Sequence, residues 1–308
     1  SAREIKRQLK KEIVGDSYIE YADDYVKKLT NPNTQGNRES IINKLKDYLG
    51  TEGGRPIDLL FPEIDYKFLK NYERHLKGLG NGTNTIHTNM KFLRTVYRDA
   101  VKSKHFRTLD NPWDDYSAPK QKSQRTRLKA VQIEEIENYE TKPGSGKHDA
   151  KNIFLFSFYL QGMRVKDLMQ LRWNQIRGEH LYYRASKTLK ARPRKIISRA
   201  AAILEYYKLD KANNNDHIFP FLKKINEKDY TPRQWVKKID SKNSLIRKNL
   251  MQIAEALGYE KLSMHVARHT FANIARKITG DVHIVSDALD HSSIAITEGY
   301  FGAAEPEE

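Results

Sequence analysis

HVARHTFANIA (265–275), followed further on by LDHSS (289–293) and Tyr300, is the stretch whose reading decides this chain. His265 and Arg268 stand three apart in what reads as a helix, so they project from one face. Phe271, Ile274 and Ile278 continue an apolar register that predicts how the helix seats in a core. A second imidazole, His291, precedes Tyr300 by nine residues, with Ile294 and Ile296 between them. A guanidinium, two imidazoles and a phenol brought together suit a phosphodiester. Arginine clamps non-bridging oxygens, histidine moves protons or donates hydrogen bonds, and a phenol can attack phosphorus. His265 and His269 also have the i, i+4 spacing of zinc ligands. Zinc is the weaker reading, because no Glu stands in the HExxH position and the chain has no cysteine.

Upstream, IFLFSFYLQGMRVKDLMQLRW (153–173) reads as a nearly continuous apolar helix running into Gly162. Arg164 then opens a further helical stretch, with Leu168 and Leu171 facing inward. An arginine beside a buried turn can aim its fork at a fixed point, and Asp167, one turn on, is expected to orient it. EHLYYRA (179–185) and PRKIISR (193–199) read as two strands joined by SKTLKAR (186–192). A lysine on such a hairpin could reach into a groove and protonate a leaving oxygen; Lys187 is the first choice and Lys190 the second.

In their order along the chain, Arg164, Lys187, His265 with Arg268, His291 and Tyr300 resemble the pattern of the tyrosine recombinase (phage integrase) family, including integrases of phages and conjugative or mobile elements. GMRVKDLMQLRW is similar to that family's first arginine box and HVARHTFANIA to its second. LDHSSIAITEGYF is similar to its LGHSS…T..Y ending. One departure is Asp290, where the family usually has glycine. The resemblance covers about residues 16 to 301. It implies a mainly α fold with a small antiparallel β-sheet: a helical core-site DNA-binding domain, then a mixed α/β catalytic domain.

The resemblance also implies a mechanism. Tyr300 attacks the scissile phosphate, leaving a 3′-phosphotyrosyl enzyme and a free 5′-hydroxyl, and an incoming 5′-hydroxyl reverses the step. Arg164 and Arg268 would hold the non-bridging oxygens. Lys187 would protonate the departing oxygen, His265 would move the proton of Tyr300, and His291 would hydrogen-bond the phosphate. A phenol's free pKa of about 10 is why Tyr300 needs such help. The two arginines and the lysine supply positive charge, so neither a metal nor another cofactor is expected. The implied partner is double-stranded DNA with core recombination sites, bound by a protein that is monomeric when free and tetrameric on paired sites. Accessory DNA-bending proteins are further candidates.

Composition agrees. Fifty-five Lys and Arg against 39 Asp and Glu leave a net charge of +16, which calls for an anionic partner. No apolar run approaches the roughly 20 residues that span a bilayer. SAREIKRQLKKEI (1–13) lacks the apolar core of a signal peptide. No membrane partner is expected, and the cytoplasm, near the nucleoid, is the expected location.

The length of 308 residues divides into four stretches. Residues 1–13 read as a helical extension, 14–106 as a helical domain, 107–129 as a basic linker and 130–308 as the catalytic domain. Within the second, helices are predicted around 17–29, 37–49, 63–79 and 84–104, the last with Thr83 as its cap. Ile64, Phe68, Leu69, Tyr72 and Leu76 make one apolar stripe. Ile86, Met90, Leu93, Val96, Tyr97 and Ala100 make another. Lys91, Arg94, Arg98, Lys102 and Lys104 interleave with the latter as DNA-contact candidates. Pro112 and Pro119 break the pattern, and Lys120, Lys122, Arg125, Arg127 and Lys129 follow as a run suited to phosphates, as Lys190 and Arg192 are on the hairpin. NNND (213–216) reads as a polar turn. The abrupt start EIKRQLKKEI reads as the continuation of something upstream, where integrases of this kind often carry an arm-site domain. FGAAEPEE after Tyr300 is short for the helix that such proteins often exchange between protomers. A type IB topoisomerase and a non-cleaving DNA-binding regulator are the alternatives. The short layout and LDHSS argue against the first, and the complete residue set against the second.

Overall fold

The computed structural model describes residues 17–122, 125–186, 191–209 and 213–290, together with Thr297. The chain forms two compact units, 1–123 and 124–308.

Among the described residues the first unit has four α-helices: α1 (Tyr18–Lys27), α2 (Pro32–Leu49), α3 (Tyr66–Gly78) and α4 (Thr83–Lys102). Three of the starts are fixed by side-chain caps. Ser17, Asn31 and Asp65 accept hydrogen bonds from the amides of Glu20, Thr34 and Phe68. The second helix begins earlier than its apolar pattern indicates, because Asn31 caps it and Pro32 fills its first position, where a missing N–H costs nothing. The fourth is capped by the backbone of Gly82, so Thr83 is the first helical residue and not the cap. Both predicted stripes are core. Leu69, Tyr72, Leu76, Met90, Val96 and Ala100 are inaccessible, while Phe68 packs at the edge. A two-strand hairpin, β1 (Thr51–Glu52) with β2 (Arg55–Pro56), sits between α2 and α3. The stretch read as a linker starts inside this unit, since Trp113 and Tyr116 are buried in its core against Tyr97 and each other.

In the second unit, α5 (Ala130–Asn138) leads to α6 (Gly146–Tyr159), the central helix. Ile153, Phe154, Leu155 and Phe156 of α6 are all buried, as an element surrounded on every side requires. After α7 (Val165–Met169) comes an antiparallel sheet of β3 (Ile176–Arg177), β4 (His180–Arg184) and β5 (Ala191–Lys195). Its register pairs Tyr182 with Pro193 and Arg184 with Ala191. Alternation on β4 turns Leu181 and Tyr183 inward and leaves Tyr182 exposed. The second predicted strand is displaced. It takes in Ala191 and Arg192 and ends at Lys195, because the chain turns helical at Ser198 to start α8 (Ser198–Lys208). The long α9 (Pro232–Ala256) lays Trp235, Ile239, Ile246, Leu250 and Ile253 against the core. It is followed by α10 (Met264–Thr279) and α11 (Val282–Ala288). Among the described residues no helix is long and apolar enough to cross a membrane.

Candidate active site

The first arginine box closes α6 with an unusual turn. Gln161 and Gly162 have φ values of +58° and +69°, and the Gly162 amide donates to the Ser157 carbonyl at 2.8 Å. A β-carbon on Gly162 would stand 3.1 Å from Cα of Arg268 and 3.0 Å from its Cγ. Glycine is therefore required twice, by backbone conformation and by the close passage of α10. Leu168 and Leu171 are buried as expected. Arg164 sits at the N-cap of α7, half-buried, its side chain without a hydrogen bond or ion pair among the described residues.

Asp167 does not orient Arg164. Its Oδ1 accepts from the amide of Ser186 at 3.1 Å, so this buried carboxylate holds the end of β4 where the hairpin tip begins. Its Oδ2 is buried without a hydrogen-bond partner among the described residues. Lys187 and Lys190 lie outside the described residues, as do His291 and Tyr300. Arg192 belongs to β5, but its side chain is outside the described set.

Helix α10 presents its catalytic candidates differently from one another. Arg268 is 5% exposed, and its Nη1 donates to the Gly162 carbonyl at 2.6 Å while Nη2 donates to that of Leu289. The guanidinium so bridges the turn before Arg164 to the turn before His291. His265 faces the exposed side, yet the protein packed around its ring, and then the charges of Arg268, Lys261 and Arg164, lower its pKa. It is neutral at neutral pH and able to accept a proton. His269 lies one helical turn on, its ring tilted by 43° with 6.4 Å between centroids, its pKa lowered to about 3 by desolvation and then by Arg125, His265, Arg268 and Arg127.

The apolar register of this helix differs from expectation. Its buried face is Val266, Ala267, Arg268, Thr270 and Ala272, whereas Phe271 and Ile274 are half-buried and Ile278 is 79% exposed. At Arg268 this face passes within contact of the glycine turn.

The basic residues separate by location. Lys91, Arg94 and Arg98 line one groove of about 320 Å³ with Trp113 and Tyr116 in the first unit. Lys102 and Lys104 are exposed at the end of α4, as are Lys120 and Lys122. Arg125 and Arg127 are half-buried in the second unit, close enough to His269 to depress its pKa. Lys129 is exposed at the N-cap of α5. Between them and α5, the buried amide of Leu128 donates to Oγ1 of Thr270 at 3.0 Å.

Four residues of this region escape a reading by pattern: Tyr183, Arg194, Asp290 and Thr270. Asp290 has φ +53° and is 3% exposed, paired at 2.5 Å with Arg194. The departure from the family's glycine was the one available signal, since glycine at a turn marks a positive φ.

A phage integrase SAM-like domain matches residues 17–117, and the phage integrase family matches residues 126–306. Over 161 residues the chain is 29% identical to the probable integrase/recombinase YoeC of Bacillus subtilis, covering 50% of this chain and 79% of that protein. It is 28% identical over 145 residues to the tyrosine recombinase XerC of Xanthomonas axonopodis, covering 46% of this chain and 43% of that protein. The fold is similar to that of the Tn1549 transposon integrase in complex with circular intermediate DNA, with a TM-score of 0.68 at 14% identity, covering 94% and 96% of the two chains. It is likewise similar to a lambda integrase dimer bound to a core site, with a TM-score of 0.67 at 17% identity, covering 98% and 84%. With the family match extending over more than half its length, the chain belongs to the phage integrase family, the tyrosine recombinases.

Proposed function

We propose that this chain is a site-specific DNA recombinase that cleaves and rejoins strands through a 3′-phosphotyrosyl intermediate. The observation that carries the reading is the junction made by Arg268. This one guanidinium joins the carbonyl before the Arg164 segment to the carbonyl before Asp290 and His291, while Asp167 holds Ser186 next to Lys187. Segments far apart in sequence are thereby brought to a common place.

In this mechanism the Oη of Tyr300 attacks phosphorus, and the 3′-phosphotyrosyl bond forms as the bond to the 5′-oxygen breaks. The neutral imidazole of His265 takes the phenolic proton, and Lys187 delivers one to the leaving oxygen. Arg164, whose side chain is not engaged by other described groups, and Arg268 oppose the charge on the non-bridging oxygens, joined by a hydrogen bond from His291. Two of the five N–H groups of Arg268 are spent on backbone carbonyls, which fixes its fork before substrate arrives. Re-ligation is the reverse, with a 5′-hydroxyl from another strand as nucleophile. The reaction takes its positive charge from side chains and runs without metal or ATP.

Double-stranded DNA is the substrate, and the net charge of +16 favours its backbone. The groove of Lys91, Arg94 and Arg98 and the exposed Lys120 and Lys122 are the proposed phosphate contacts away from the scissile site. A lambda integrase tetramer is known bound to a Holliday junction. The same assembly, monomers joining as a tetramer on paired sites in the cytoplasm, is proposed here. The deciding experiment uses a nicked suicide duplex and a denaturing gel. Wild-type protein is expected to form a covalent DNA adduct, and Tyr300→Phe to bind DNA without forming one. An adduct that persists in the variant would move the nucleophile to another tyrosine. Exchange between two defined sites, as opposed to relaxation of a supercoiled circle, separates a recombinase from a topoisomerase.

A further inference from the structure

Beneath the site lies a buried cluster with no part in the mechanism above. Arg194, on β5, and Asp290, in the turn after α11, have side chains each 4% exposed and are paired at 2.5 Å. Every nitrogen of the Arg194 guanidinium is engaged. Nε donates to the hydroxyl of Tyr183 at 3.2 Å, and Nη2 donates to Oδ2 of Asp290. Nη1 donates to the Leu160 carbonyl at 3.2 Å and to Oε1 of Gln161 at 2.5 Å. The Tyr183 hydroxyl in turn donates to the same carboxylate oxygen at 3.1 Å. Burial pushes the Tyr183 pKa up to about 12, so the hydroxyl keeps the proton it donates.

Two costs are accepted here. Removing both charges from water is unfavourable unless they are paired and fully hydrogen-bonded. Asp290 also occupies a left-handed backbone conformation, φ +53°, that glycine would adopt without strain. A turn needing only its shape would be served better by glycine. What the carboxylate adds is a tether, and the tether has a definite set of ends. Arg194 and Tyr183 sit on the strands that lead into the hairpin tip, Leu160 and Gln161 in the turn that leads to Arg164, and Asp290 immediately before His291.

We infer that Arg194 and Asp290 are positioning residues that lock these three segments into one register. The inference rests on the recombinase reading, because the three segments matter together only if Arg164, the hairpin lysine and His291 act on one phosphate. The pair sets the alignment of the groups that meet DNA and leaves the DNA affinity itself unchanged. Misplacement by about 1 Å is enough to lower a chemical step on the order of 10²-fold.

The test compares wild-type protein with Arg194→Met/Asp290→Gly, which removes both charges and relieves the backbone at 290, and with Asp290→Asn, which keeps the shape and loses the charge. Melting temperature, affinity for a duplex carrying the core site, and single-turnover cleavage of the nicked duplex are measured for each. A second duplex carries sulfur at the 5′-bridging position. Both variants are expected to bind with wild-type affinity and to cleave the ordinary duplex at least tenfold more slowly. The sulfur substrate should recover part of the loss, since its leaving group needs no proton from a displaced lysine. A double variant that folds and cleaves at the wild-type rate overturns the inference, and a lowered melting temperature in that case would leave the pair a matter of stability alone. Where the double variant does not fold, Asp290→Asn decides by the same criterion. Wild-type protein that forms no adduct on the nicked duplex overturns the recombinase reading itself, a result independent of either variant.

Discussion

Arg268 donates from Nη1 to the carbonyl of Gly162 at 2.6 Å, across 106 positions of sequence, and a β-carbon on Gly162 would stand 3.1 Å from the same arginine's Cα. The turn that introduces Arg164 and the helix that carries His265 are therefore in direct contact.

Gly162→Ala is expected to destabilise the second unit and to abolish cleavage. The added methyl would meet the Arg268 backbone at 3.1 Å and hold an L residue at φ +69°. Left-handed strain alone costs on the order of 1–3 kcal/mol, and the overlap adds about as much again. Chemical denaturation of the variant measures the first effect and suicide-substrate trapping the second. A variant as stable and active as wild type would show that the helix can move aside.

The half-buried His269 should make the fold acid-sensitive over a defined window. In the unfolded chain its imidazole takes a proton near pH 6.5, whereas the folded protein refuses it until about pH 3. Between those values the unfolded state binds more protons, so stability is full above pH 6.5 and is lost as pH falls through the window. His269→Gln should remove one proton's worth of slope from stability measured against pH. Identical slopes for the two proteins would place the acid sensitivity elsewhere.

Cleavage should proceed undiminished in excess EDTA. Arg164, Arg268 and Lys187 provide the positive charge, and among the described residues no group of three or more His, Asp or Glu is arranged to ligate a metal. A large loss of activity restored by magnesium would require a different account of charge stabilisation.

Lys187→Ala should slow cleavage of ordinary DNA by about 10²–10⁴-fold, the usual value of general acid catalysis, and much less with sulfur at the 5′-bridging position. Lys190→Ala is the comparison, removing the same charge three residues on. Rescue by sulfur of the Lys190 variant alone would reassign the acid, and rescue of neither would turn attention to His265. The anchoring of Ser186 by Asp167 favours Lys187, the residue next to the anchor.

Where regular periodicity is strong, sequence and structure agree closely. The stripes from Leu69 to Leu76 and from Ile86 to Ala100 fill the first core, and the apolar run 153–156 becomes the buried helix at the centre of the second. What the pattern could not convey was set by tertiary contact. Ile278 is hydrophobic and in register, yet it lies exposed in the last turn of the helix, whose buried face is centred on Ala267, Arg268 and Thr270. Asp167 is one turn from Arg164 but bonds Ser186, a choice that only the path of β4 could decide. Trp113 and Tyr116, between the two prolines, are core residues because the segment folds back onto α4, which no local signal records. The candidate chemistry-bearing residues are proposed from their types and order along the chain. Their supports, Arg194 and Tyr183, resemble ordinary strand residues until the sheet is closed.

The bond from the Leu128 amide to Thr270 also has a practical consequence for dissecting the chain. A protease that cuts after basic residues meets five of them between 120 and 129, but they are not equivalent. Lys120 and Lys122 are exposed, while Arg125 and Arg127 are half-buried just before an amide held inside the fold. Lys129 is exposed but stands at a helix start beside that amide, so brief trypsin treatment should nick at Lys120 and Lys122 first. The fragment so released would keep residues 125–128 sealed against its own helix, whereas an expression boundary placed at residue 130, where the first helix of the unit begins, would strip away that seal and expose the interior around Thr270.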